Sequence, residues 1–106
     1  MNAATAPTVV LTLVMPLEIE DALIETLLEY PDLAPGFTTV KVEGHGQRVT
    51  FTDTAEHVRG RAAYSRVQLV VPQDAAESLL AILRQHFATG RVFYWMIPTL
   101  ASGRLA

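Results

Sequence analysis

The residues with the most chemical potential lie together, between Gly44 and Ala63. This stretch holds Gly44, Gly46 and Gly60, two of the three histidines (His45 and His57), and Arg48, Arg59 and Arg61. Imidazole and carboxylate are ordinary ligands for divalent transition metals. Glu43, His45, Glu56 and His57 therefore form a candidate metal set, provided the loop folds to bring them together. Their spacing matches no established metal motif, and the plainer reading is a set of solvated loop side chains. Gly44-His45-Gly46 follows a strand-like segment, so its backbone amides could approach an anion closely; two glycines also serve simply to turn the chain. His86, near the end of a helical pattern, reads as a cation favoured by the helix dipole.

Other chemistries lack the residues they need. The serines are Ser65, Ser78 and Ser102, with no nucleophile-elbow pattern, and the absence of cysteine removes thiolate catalysis, disulfides and Cys-ligated metal sites. Acylphosphatase chemistry needs a catalytic asparagine, and the only one is Asn2; a Cys-x-x-Cys copper chaperone is excluded outright. Arg59-Gly60-Arg61-Ala62-Ala63-Tyr64 faintly echoes an RNA-binding strand, but Arg61 and Ala63 occupy the positions where bases would stack. A small ferredoxin-like isomerase or monooxygenase would need a titratable pair facing the helices, which the strands do not offer. The expectation is a protein that is not an enzyme and does not bind nucleic acid.

The elements that must position the loop are legible on either side of it. Val9 to Met15 is a β-branched run closed by Pro16, as a buried strand would be. Leu17 to Tyr30 carries Ile19, Leu23 and Leu27 at helical spacing, with acids crowding the first turn and Pro31 beyond the end. Phe37 to Glu43 alternates Val40 and Val42 with Thr39, Lys41 and Glu43, predicting a second strand. The pattern then recurs. Tyr64 to Val71 is a strand closed by Pro72; Asp74 and Glu77 have capping-box spacing. Ala76, Leu79, Leu80, Leu83 and Phe87 form a helical stripe, and Thr89-Gly90 supplies its stop. Arg91 to Ile97 is a fourth strand before Pro98.

Two βαβ halves in series predict an α+β, ferredoxin-like split βαβ domain: a four-stranded antiparallel sheet with two helices on one face. A length of 106 residues suits a single domain, with 1–8 a flexible start and 99–106 a tail. The fourth strand is apolar on both sides, with Phe93, Trp95 and Ile97 against Val92, Tyr94 and Met96. Half of the residues are hydrophobic and 18% charged. So apolar a sheet predicts oligomerisation through its uncovered face. Charge is uneven: residues 1–43 hold seven acids against Lys41, whereas 44–106 hold seven arginines against four acids. The basic half is too weakly charged for a nucleic-acid binder, but its loop arginines could draw an anionic ligand or partner. The seven-residue apolar run before Pro16 is too short to span a membrane, and no basic residue precedes it. A cytoplasmic protein without membrane insertion is expected.

Gly36-Phe37-Thr38-Thr39-Val40-Lys41-Val42-Glu43-Gly44-His45-Gly46-Gln47-Arg48 resembles the second strand and T-loop start of PII signal-transduction proteins. Thr89-Gly90-Arg91-Val92-Phe93 is similar to their B-loop, and Ser102-Gly103 to their C-terminal Thr-Gly. More closely, Val42-Glu43-Gly44-His45-Gly46, Phe93-Tyr94-Trp95 and Ser102-Gly103-Arg104-Leu105 resemble a small PII-like family of undefined function, whose members are often encoded beside heavy-metal efflux pumps. The resemblance implies a homotrimer with a small effector in clefts between subunits. It also implies that residues 44–63 act as a T-loop, changing order on effector binding and docking a membrane efflux transporter or another protein. The implied cleft positions are Gly36, Thr38, Gly44, Gly46, Gln47, Arg48, Thr89 and Gly90. The metal positions read from the loop are His45, Glu56 and His57. The cofactor is left open between a nucleotide and a divalent transition metal, neither needed for folding. Three departures bear on a nucleotide: Gln47-Arg48 inverts the PII Arg-Gln pair, no Gly-Asp-Gly-Lys follows Gly90, and Ala101 stands where an arginine binds phosphate. The alternative is a metal-binding trimer like the CutA proteins, without a signalling partner.

Overall fold

The computed structural model describes residues 7–46 and 62–106. In chain order they form β1 (Thr8–Pro16), a single 3-10 turn (Leu17–Ile19), α1 (Glu20–Leu28), β2 (Thr38–Gly44), β3 (Ala62–Pro72), α2 (Gln73–His86) and β4 (Phe93–Pro98). The four strands make one sheet in the order β2-β3-β1-β4, every adjacent pair antiparallel. This is the ferredoxin-like arrangement expected, with each βαβ unit split by a strand of the other half. Among the described residues, no helix is long and apolar enough to cross a membrane.

Strand register sorts the side chains into two faces. Leu11 lies opposite Leu69 and Met96, and Leu13 opposite Val67 and Tyr94. Successive strand residues point to opposite faces, so these layers share one side of the sheet, and that side takes both helices. Leu23 and Leu27 of α1 and Ala76, Leu79, Leu80 and Leu83 of α2 complete the core. Burying each such leucine contributes roughly 1.5–3 kcal/mol. The core, not helix propensity, is what holds the nine-residue α1 in shape.

Several boundaries differ from the sequence expectation for physical reasons. The first helical segment opens as a 3-10 turn and becomes α-helical only at Glu20. The Asp74–Glu77 capping box does not form. The second helix begins two residues earlier, with Pro72 as its N-cap, and the Asp74 carboxylate accepts from the Ala75 N–H at 2.8 Å. Glu77 instead accepts from the Gln73 side chain at 3.3 Å. Helix α2 stops at His86, with the Phe87 N–H bonded to the Leu83 carbonyl at 2.8 Å, before Thr89-Gly90 is reached. Gly90 serves the turn that follows, at φ +77°. Pro7 and Thr8 are held rather than loose. The Pro7 carbonyl accepts from the Gln73 N–H at 2.9 Å, and the Thr8 carbonyl from the Thr99 N–H at 3.1 Å. The tail folds back far enough for the Thr8 and Ser102 hydroxyls to lie 3.2 Å apart.

Candidate functional site

The candidate positions among the described residues do not gather within one copy of the chain. Gly36 and Thr38 stand at the start of β2, whereas Gly44 closes that strand, about 20 Å away at the usual rise per residue. Gly44 pairs with Ala62, and Phe93 pairs with Val14, two residues before Pro16, which faces Tyr64. Gly44, Gly46, Thr89 and Gly90 therefore occupy the same end of the sheet. They sit at its two opposite edges, however, separated by the three strand spacings of a four-stranded sheet, about 14 Å. Gln47, Arg48, Glu56 and His57 lie outside the described residues. The strands also reach inside the 44–63 limits expected for the loop, since Gly44 closes β2 and Ala62 opens β3.

Two glycines have local reasons to be glycine. A Cβ on Gly44 would come within 3.0 Å of the Tyr64 ring, which packs over it from the neighbouring strand. Gly90 takes a left-handed conformation that any larger residue adopts at a cost of about 1–2 kcal/mol. Of the metal candidates, Glu43 is the last residue but one of β2 and His45 is exposed just beyond the strand. No group of three His, Cys, Asp or Glu able to hold a metal occurs among the described residues. His86 is exposed in the last turn of α2.

Two grooves accompany these positions. One, of about 350 Å³, is lined by Gly36, Phe37 and Thr38 together with Val10, Gln68 and Val70. The other, of about 370 Å³, lies between α2 and β4, with Gly90 among its lining residues. Its apolar walls include Leu13, Leu83 and Val92; Arg84 and Tyr94 are its polar side chains. Arg84 donates to the Tyr94 hydroxyl at 3.2 Å and lies over the same ring at 5.8 Å from the centroid. An ion pair from Arg91 to Glu18 ties the approach to β4 to the turn after β1. Both members are partly exposed, so it contributes at most about 1 kcal/mol.

The face of the sheet away from the helices is open. Phe93, Trp95 and Ile97 stand on it from β4, Val10 and Val14 from β1, Val70 from β3, and Val40 and Val42 from β2. Phe93 and Ile97 are 67% and 53% exposed, far from what a finished core allows. Phe93 and Trp95 pack ring to ring at 5.9 Å. Thr12, in the middle of this face, is nevertheless fully buried: Trp95 and Gln68 oppose it from either side, and Gln68 donates to its hydroxyl at 3.1 Å. Sequence reasoning missed Arg66 and Gln68, although strand alternation through Tyr64–Val71 carries the signal that they share a face with Tyr64 and Val70.

Residues 5–106 match the family described as proteins of unknown function, DUF3240. The chain belongs to this family. A DUF3240 family protein from Shewanella baltica OS155 superposes with a TM-score of 0.75 at 20% identity, covering 96% of this chain and 100% of that one. CPII from Thiomonas intermedia K12, a nitrogen regulatory PII-like protein bound to ADP, AMP and bicarbonate, superposes at 0.67 with 16% identity, covering 93% of this chain and 97% of that one. CutA from Synechococcus elongatus PCC7942, complexed with Bis-Tris, gives 0.69 at 14% identity over 93% of this chain and 86% of that one. No match to the sequence is found among curated proteins. This DUF3240 chain thus shares its fold with the PII-like protein CPII and with CutA.

Proposed function

We propose that this DUF3240 protein is a homotrimeric PII-like regulator. Three copies pack their open sheet faces together, a small effector occupies the clefts between them, and segment 44–63 docks a partner protein. The observation that carries this reading is the open face itself, to which all four strands bring aromatic and aliphatic side chains around Thr12, Gln68 and Arg66. Exposed apolar surface of this kind marks an interaction site. The number three comes from the family resemblance.

The placement of the candidate residues supports the same reading. With copies arranged around an axis, the β2 edge of one comes beside the β4 edge of the next. The Gly44–Gly46 half of a cleft then meets the Thr89-Gly90 half of its neighbour. An effector that binds one arrangement of segment 44–63 better than another shifts the population toward it, by no more than its differential affinity. The effector is a nucleotide or a divalent transition metal. The partner implied by the resemblance is a heavy-metal efflux transporter, so the regulated process is metal homeostasis. The role is binding and relay, without catalysis.

Size-exclusion chromatography with light scattering, followed by calorimetric titration, tests the proposal. A trimer mass at micromolar concentration is expected, with heat of binding for at least one of ATP, ADP, AMP, zinc, copper, cobalt or nickel. A monomer would overturn the assembly, and silence across the panel would remove the sensor reading. For the partner, affinity capture with intact protein is compared with a variant lacking residues 47–60; loss of a transporter from the second sample is the expected result.

A further inference from the structure

Among the described residues, one charge stands on the open face of the sheet. Arg66 is at the middle of β3, with Val14 of β1 and Val40 of β2 directly across the ladder on either side. Its Nε is buried and has no hydrogen-bond partner, so part of this cation is already cut off from water before anything covers the face. No carboxylate among the described residues shares the face. Glu43 alternates to the other side of β2, and the remaining acids lie on the helices and the turns beside them.

Covering this face with further copies of the chain, the reading on which this inference rests, removes the water that still solvates Arg66. Symmetry then places an identical guanidinium from each copy around one axis. A buried cation with no counter-charge is strongly destabilising, and like charges brought together add to the penalty. We infer that the assembly holds a small oxyanion against Arg66. The guanidinium fork is matched to the paired oxygens of phosphate, sulfate or a small carboxylate, and charge-assisted hydrogen bonds of this kind are the strong ones. The anion is then a structural ligand of the oligomer at a place distinct from the clefts. It also couples assembly to the anion concentration, because a ligand that binds only the oligomer favours it by mass action.

Sedimentation equilibrium of the full chain in chloride, with and without millimolar inorganic phosphate at constant ionic strength, tests this inference. For the unmodified protein, phosphate is expected to tighten the assembly by about tenfold or more. Arg66→Met is expected to assemble tightly in chloride alone and to ignore phosphate. Equal assembly of the unmodified protein in both buffers overturns the inference while leaving the oligomer intact. So does an Arg66→Met variant that responds to phosphate as the parent does, which would put the anion elsewhere. A chain that stays monomeric in every buffer, with arginine or methionine, instead overturns the oligomer reading beneath it. Should Arg66→Met fail to fold, equilibrium dialysis of the unmodified protein against labelled phosphate decides: retention by the oligomer supports the site, and none overturns it.

Discussion

The Ser65 hydroxyl donates a 2.6 Å hydrogen bond to the Glu20 carboxylate, joining the third strand to the first residue of the first helix. Ser65 is completely buried and Glu20 partly so. The contact fixes where the 3-10 turn gives way to α-helix, at the end of the sheet where Gly44 and Gly90 sit. Ser65→Ala is expected to cost about 2 kcal/mol, because it leaves a half-buried carboxylate without its donor. Thermal unfolding followed by circular dichroism should register a drop of about 10 °C. A change within about 2 °C would mean that water replaces the hydroxyl without loss.

Trp95 is the aromatic anchor of the open face, packed against Phe93 and covering Thr12. In the assembled protein, Trp95→Ser should weaken association by about thirtyfold, the effect of losing a residue worth about 2 kcal/mol at an interface. Light scattering across a dilution series reads this directly. The unfolding temperature of the fully dissociated protein should fall much less than that of the oligomer. An unchanged oligomer mass would mean that the copies meet elsewhere.

Gly90, like Gly46, is a cleft candidate whose backbone makes a definite demand. Gly90→Ala has free space for its methyl group, yet it must hold φ +77°. The expected loss of stability is about 1 kcal/mol. Because the turn is shared by the candidate cleft, effector affinity measured by calorimetry should fall further than stability does. Equal affinity in the variant would remove Thr89-Gly90 from the cleft.

His45 separates the regulatory reading from a metal-storing one. It is exposed beyond β2, so His45→Ala should leave stability within about 0.5 kcal/mol of the parent. Under a CutA-like role, zinc or copper uptake measured by calorimetry disappears in this variant and in His57→Ala, while nucleotide binding is unaffected. Metal affinity that survives both substitutions sinks the metal set.

Much of this fold is written in periodicity, a local property. Leu11 and Leu13 opposite Val10 and Val14, the Leu23–Leu27 and Leu79–Leu83 stripes, and the prolines that close β1, β3 and β4 each act within one element. They therefore determine the elements, their order and the βαβ pairing before any long-range contact forms. The doubly apolar β4 likewise announces an uncovered face, because a single strand states which residues alternate. What a strand cannot state is which of its faces turns inward, since that depends on the partners it finds. Val40 and Val42 look like core residues in the sequence, yet the register with Tyr64 and Arg66 turns them to the open side and leaves Lys41 and Glu43 on the side of the helices. The same pairing isolates Arg66 among valines, brings Ser65 to Glu20 across 45 residues of chain, and sends the Gly44 and Gly90 halves of the candidate cleft to opposite edges. Contacts between residues so far apart exist only once the strands have chosen their neighbours, and tertiary structure alone makes that choice.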